Sequence, residues 1–174
     1  RILALDFQMI RSVFRDVSVP QWIGAALATS ASFWAIGRYD AVLHGVLGTG
    51  ISTKSARTSG ALAIAVAQFT GLGVITGAIV RWRMLPQASL WLAGRITLAV
   101  AISFLAGWAV FCAIVVLATG APFPGASITA MWVLLGAGTL VILSIVQPSF
   151  LPKLPPVRAM AAILILTALD TIFA

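Results

Sequence analysis

Long apolar runs separated by short loops constrain this chain more than any other feature of its sequence. The clearest runs cover residues 88–118 and 127–146, and each is long enough to cross the hydrocarbon core of a bilayer as a helix. Of the 174 residues, 61% are apolar and only 9% are charged, a composition that excludes a soluble globular domain and a disordered chain. We therefore predict an all-α, polytopic integral membrane protein with four to five membrane segments, one of them broken or re-entrant.

Three further stretches complete this prediction. The run 21–47 contains charged residues, the run 58–80 is rich in glycine and threonine, and the run 159–174 is shorter than the roughly 20 residues that a membrane helix needs. Because the chain begins with arginine and ends inside an apolar run, we expect residues 1–174 to be a fragment of a single transmembrane domain.

The first 19 residues have a helical apolar stripe. Its members recur at spacings of three and four: Leu3, Phe7, Ile10, Phe14 and Val17. This pattern predicts an amphipathic helix over residues 1–19 that lies at the membrane surface, with residues 20–174 forming the membrane segments. A helix packed on other protein segments would show the same pattern.

The charge balance is strongly basic. Eleven Lys and Arg residues stand against four Asp and no Glu, for a net charge of +7. The cations lie between apolar runs, which indicates membrane topology and contact with anionic lipid headgroups rather than nucleic acid. The loops around residues 81–95 and 148–158 are predicted to be cytoplasmic, and the uncharged loop 119–126 extracytoplasmic.

The sequence offers little for catalysis. His44 is the only histidine and Cys112 the only cysteine, so neither a zinc site nor a disulfide is expected. No phosphate-binding loop of the Walker type occurs. We predict no catalytic residue, no metal and no cofactor.

Charges inside the run 21–47 are the strongest sign of function. Arg38 and Asp40 are two residues apart and point to nearly opposite helix faces, whereas Asp40 and His44 share a face. We expect Asp40 to pair with a cation from another segment, Arg81 or Arg57. Alternatively, a helix of this length, about 40 Å against a core of about 30 Å, places its charges in the headgroup layer.

The run 58–80 carries helix-breaking residues at membrane depth, in the order Thr70, Gly71, Gly73, Thr76 and Gly77. A broken helix or re-entrant turn is one interpretation, because such breaks often form binding sites. Close helix packing through Gly73 and Gly77 is the other.

Two of these features together resemble a known family. Tyr39 and Asp40, followed by residues 71–83 with the sequence GLGVITGAIVRWR, resemble the membrane region of the lysylphosphatidylglycerol synthase family, which includes the multiple peptide resistance factor. Members carry a tyrosine–aspartate pair and then a glycine-rich stretch that leads into Thr-Gly-x-x-x-Arg, here Thr76, Gly77 and Arg81. The resemblance covers about residues 21–107.

The resemblance implies a lipid flippase of the bacterial inner membrane, which moves aminoacylated phosphatidylglycerol between leaflets. Its partners would be the bilayer, an anionic or aminoacylated phospholipid and a C-terminal transferase domain of the same parent chain; a homo-oligomer is compatible with it. In bifunctional members that transferase domain moves lysine from Lys-tRNA to phosphatidylglycerol. We expect this fragment alone to be no enzyme and to bind no nucleic acid.

The residues expected to bind or translocate lipid are Arg38, Tyr39, Asp40, Gly71, Gly73, Thr76, Gly77, Arg81 and Arg83. The arginines would meet a phosphate, and Asp40 would meet the amino group of the headgroup. Two other functions stay open: a membrane anchor that delivers lipid to a separate transferase domain, and an unrelated small-solute transporter.

Overall fold

A computed structural model describes residues 14, 16–120, 123–149 and 152–174, and in this part of the chain all regular structure is helical. Its six helices are α1 (Val19–Val46), α2 (Thr53–Thr70), α3 (Gly73–Met84), α4 (Leu90–Thr119), α5 (Ala126–Val146) and α6 (Val157–Phe173). The all-α prediction is confirmed for these ranges. The amphipathic helix predicted for residues 1–19 lies almost entirely outside the described residues.

A serine residue precedes three of the helices and takes part in capping each of them. The Ser18 backbone N–H donates to Gln21 Oε1 over 2.7 Å, which caps the start of α1. Ser52 Oγ accepts from the backbone N–H of Ser55 before α2, and Ser89 Oγ accepts from Leu92 before α4. These bonds satisfy N–H groups that a helix start leaves without a partner.

The glycine-rich run is broken, as one of its two interpretations predicted. α2 ends at Thr70, and Gly71 then adopts a left-handed conformation with φ of 72°. α3 begins two residues later, and it packs side by side with α2. The short link makes the two helices a hairpin, and Phe69 near its tip is 94% exposed.

Small residues set the distances between the helices. A Cβ at Gly37 of α1 would lie 3.1 Å from the Arg57 carbonyl oxygen of α2, and one at Gly107 of α4 would lie 2.9 Å from Thr167 Oγ1 of α6. Helices approach this closely only where no larger side chain intervenes. The hydrophobic core joins α1 and α6 through Ala35, Tyr39, Leu43, Ile163 and Leu166.

Two of the described helices, α4 and α5, are long and apolar enough to cross a membrane, judged by length and composition. Many of their large apolar side chains are exposed, among them Ile102 at 60%, Trp132 at 67% and Ile145 at 68%. α5 packs mainly on α4, whereas α1, α2, α3, α4 and α6 together line one cavity.

Candidate functional site

Asp40 of α1 and Arg81 of α3 form an ion pair inside the helix bundle. Arg81 Nη2 lies 2.6 Å from Asp40 Oδ1, and Arg81 Nε donates to Asp40 Oδ2 over 3.2 Å. The Asp40 side chain is 1% exposed and the Arg81 side chain is 0% exposed. A two-point contact of this kind is the strongest geometry for an arginine–carboxylate pair. The prediction that Asp40 meets a cation from another segment is confirmed, and the cation is Arg81 rather than Arg57.

The third guanidinium nitrogen of Arg81, Nη1, is also engaged. Nη1 donates to Thr97 Oγ1 on α4 over 3.2 Å and to the Gly77 carbonyl oxygen over 3.4 Å. Thr97 in turn donates to the Ala93 carbonyl oxygen. In this structure Asp40 and Arg81 therefore neutralise each other.

Glycines make room for the pair. A Cβ at Gly60 of α2 would overlap the Asp40 side chain, and one at Gly77 would lie 3.3 Å from Arg81 Nη1. Gly77 belongs to the motif that the sequence singled out, whereas Gly60 does not. Because Gly60 has no side chain, α2 can pack closely against α1 at the position of Asp40.

His44 lies beside the pair, one helical turn after Asp40. Its Nε2 is 3.8 Å from Asp40 Oδ2, too far for a hydrogen bond, and has no partner among the described residues. Its Nδ1 lies 2.8 Å from Thr49 Oγ1 in the following loop. The expectation that Asp40 and His44 share a helix face is confirmed.

The ion pair forms part of the wall of a cavity of about 430 Å³ between α1, α2, α3, α4 and α6. Most of the wall is apolar. The polar side chains that line the cavity are Tyr39, Asp40, Gln68, Arg81, Thr97 and Asp170.

Two of these polar residues join α1 to later helices. The Tyr39 hydroxyl donates to Ser103 Oγ over 2.8 Å, and its ring packs edge-on against Phe104. Asp170 of α6 accepts a hydrogen bond from the Ser32 hydroxyl of α1. Sequence reasoning missed Asp170 as a site residue, because its partner lies 138 positions away. The available signal was its charge within the apolar run 159–174.

The structure brings six of the nine expected site residues to the cavity. These are Tyr39, Asp40, Gly71, Gly73, Gly77 and Arg81. The others lie elsewhere. Thr76 Oγ1 is 3.1 Å from Thr70 Oγ1 across the hairpin turn. Arg38 and Arg83 are exposed and stack over the rings of Trp34 and Trp82.

Among the described residues, no three His, Cys, Asp or Glu side chains come together in a way that could hold a metal ion. Comparisons of the chain with family models, with curated proteins and with solved structures give no match.

Proposed function

We propose that this chain is the membrane domain of a phosphatidylglycerol lysyltransferase-type protein and that it translocates aminoacylated phosphatidylglycerol across the bacterial inner membrane. The observation that carries the proposal is the cavity of about 430 Å³, whose apolar wall contains a buried ion pair and a second carboxylate. Charged groups inside a membrane bundle are costly, and they commonly mark the path of a substrate.

The exposed apolar surface supports a multi-pass position in the bilayer. Large side chains on α4 and α5 are more than half exposed, including Leu135 and Ile142. Soluble proteins rarely expose apolar surface of this extent. Beyond these two helices, α1 with 28 residues is about 42 Å long, so it adds to the proposed four to five membrane segments.

The cavity suits a lipid better than a small polar solute. Ile64, Val74, Val100, Phe104 and Leu166 supply apolar walls that would contact the glycerol and acyl portions. The charged side chains would contact the headgroup. A small polar solute would leave the apolar part of this lining without a partner, whereas a lipid is amphipathic, as the lining is.

The positions of the motif residues support the family named by the resemblance. Asp40 and Arg81 are 41 positions apart, yet they form one ion pair, and Gly77 lies against Arg81. A membrane anchor, the second candidate, needs helix packing but neither a cavity nor charges on its wall.

The proposal is tested in cells that synthesise lysylphosphatidylglycerol and express the chain. A membrane-impermeant amine reagent labels the outer-leaflet lipid, and solvent extraction gives the total. We expect the chain to raise the outer-leaflet fraction. Arg81→Ala should abolish this rise without changing the total, whereas Arg95→Ala, at an exposed arginine of α4, should leave it intact.

Two results would contradict translocation. If the intact chain left the outer-leaflet fraction unchanged, the translocase proposal would be wrong. If Arg81→Ala lowered the total lipid and left the outer-leaflet fraction unchanged, the chain would be an anchor that delivers lipid to the transferase.

A further inference from the structure

Asp170 is a charged residue of the cavity wall that no basic group neutralises within the described part of the chain. It lies on α6 and is partly buried. Its Oδ1 accepts from the Ser32 hydroxyl, and Oδ2 accepts no bond from the described side chains. Asp40 is the other carboxylate on the wall, and both of its oxygens accept hydrogen bonds from Arg81. The wall therefore carries two carboxylates and one guanidinium, which leaves one negative charge at Asp170.

Ser32, the hydrogen-bond partner of Asp170, lies well away from the ion pair along α1. Ser32 is at the midpoint of α1, and Asp40 follows it by eight residues, about 12 Å along the helix axis. Arg81, which is buried against Asp40, therefore cannot neutralise both carboxylates. If α1 crosses the bilayer, Asp170 lies near the bilayer centre, where an ionised carboxylate without a counter-charge is costly.

The chemistry around Asp170 selects the kind of cation that fits. A metal ion such as Ca²⁺ takes six to eight oxygen ligands, more than one carboxylate and one hydroxyl provide. A primary ammonium group has three donors, which the Asp170 carboxylate and the Ser32 hydroxyl can accept. The apolar remainder of such a ligand would contact Phe104 and Leu166, which line the same cavity.

We propose that Asp170 and Ser32 bind the ammonium group of an amphiphilic ligand and give the cavity its preference for aminoacylated over unmodified phosphatidylglycerol. This inference rests on the proposed function, because it assigns the headgroup amine of the same substrate. In this proposal Asp170, rather than Asp40, contacts the amino group of the headgroup.

The test measures lipid binding to the purified chain in detergent by native mass spectrometry. The probes are lysylphosphatidylglycerol and phosphatidylglycerol, with lysine methyl ester as an amine without acyl chains. We expect the intact chain to prefer the lysyl lipid by roughly ten- to a hundredfold, since a charge-assisted hydrogen bond contributes roughly 1.5–3 kcal/mol. Asp170→Asn should remove the preference, Asp170→Glu should retain it, and Ser32→Ala should reduce it.

Asp16→Asn is the matched control, because this exposed aspartate lies outside the cavity and its loss should leave the preference unchanged. Equal binding of both lipids by the intact chain would overturn the inference. It would also fail if Asp170→Asn kept the preference, or if lysine methyl ester displaced the lysyl lipid at equal concentration. Selective binding without any rise in outer-leaflet lipid in cells would instead refute translocation and leave the ammonium site standing.

Discussion

Gly60 of α2 lies directly against the carboxylate of Asp40 on α1, at a point where even a methyl group would overlap the Asp40 side chain. The ion pair between Asp40 and Arg81 therefore depends on a third helix that contributes no charge. Gly60 and Asp40 are both buried, and Gly60 lies on the face of α2 that packs on α1.

Gly60→Ala should destabilise the protein, because the added methyl group forces Asp40 away from Arg81. Overpacking of this kind costs roughly 1–3 kcal/mol. The measurement is the free energy of unfolding in detergent. Gly45→Ala, in α1, is the control, since a Cβ there meets nothing within 4 Å. Equal effects of the two substitutions would show that Gly60 does not position Asp40.

Asp40 and Arg81 should behave as one unit in a double-mutant cycle. Asp40→Ala or Arg81→Ala alone leaves an uncompensated buried charge, at a cost of roughly 3–5 kcal/mol. The double substitution removes both charges and should cost less than the sum of the single losses. Unfolding free energies in detergent give the coupling, and additive losses would argue against a stabilising pair.

Gly71→Ala should destabilise the α2–α3 hairpin. Gly71 has φ of 72°, and a left-handed conformation costs a residue with a Cβ about 1–2 kcal/mol. Gly136→Ala in α5 should be neutral or stabilising, because its position is helical and open. Thermal unfolding followed by circular dichroism compares the two variants. A Gly71→Ala protein as stable as the parent would mean that the turn relaxes without strain.

Single cysteines should report the predicted topology. In a Cys112→Ala background, Gln87→Cys before α4 should react with an impermeant maleimide only from the cytoplasmic side. Phe123→Cys, which lies after α4 and is 63% exposed in the native protein, should react only from outside. Arg83 near the end of α3 and Lys153 and Arg158 around the start of α6 set this orientation, whereas Arg81 is buried in the ion pair and does not count toward it. Labelling of both positions from one side would mean that α4 does not cross.

The pairing of Asp40 with Arg81 could be predicted because an aspartate within an apolar helix needs a counter-charge. The helix break could be predicted from Gly71 and Gly73, which supply conformations that other residues avoid. Arg38 and Arg83 were expected at the site and are not there. An arginine two positions from a buried residue faces the opposite side of the helix, and each stacks on a nearby tryptophan instead.

The sequence by itself determined the helical character of the chain, the glycines at which a helix could break and the need for a partner to Asp40, because these depend on local conformation and on the cost of burying charge. The tertiary structure alone decided that Gly60 admits the carboxylate, that Asp170 meets Ser32 and that six of the expected residues line one cavity. Those relationships depend on the side-by-side packing of helices distant in sequence, and no local pattern encodes which faces of such helices meet.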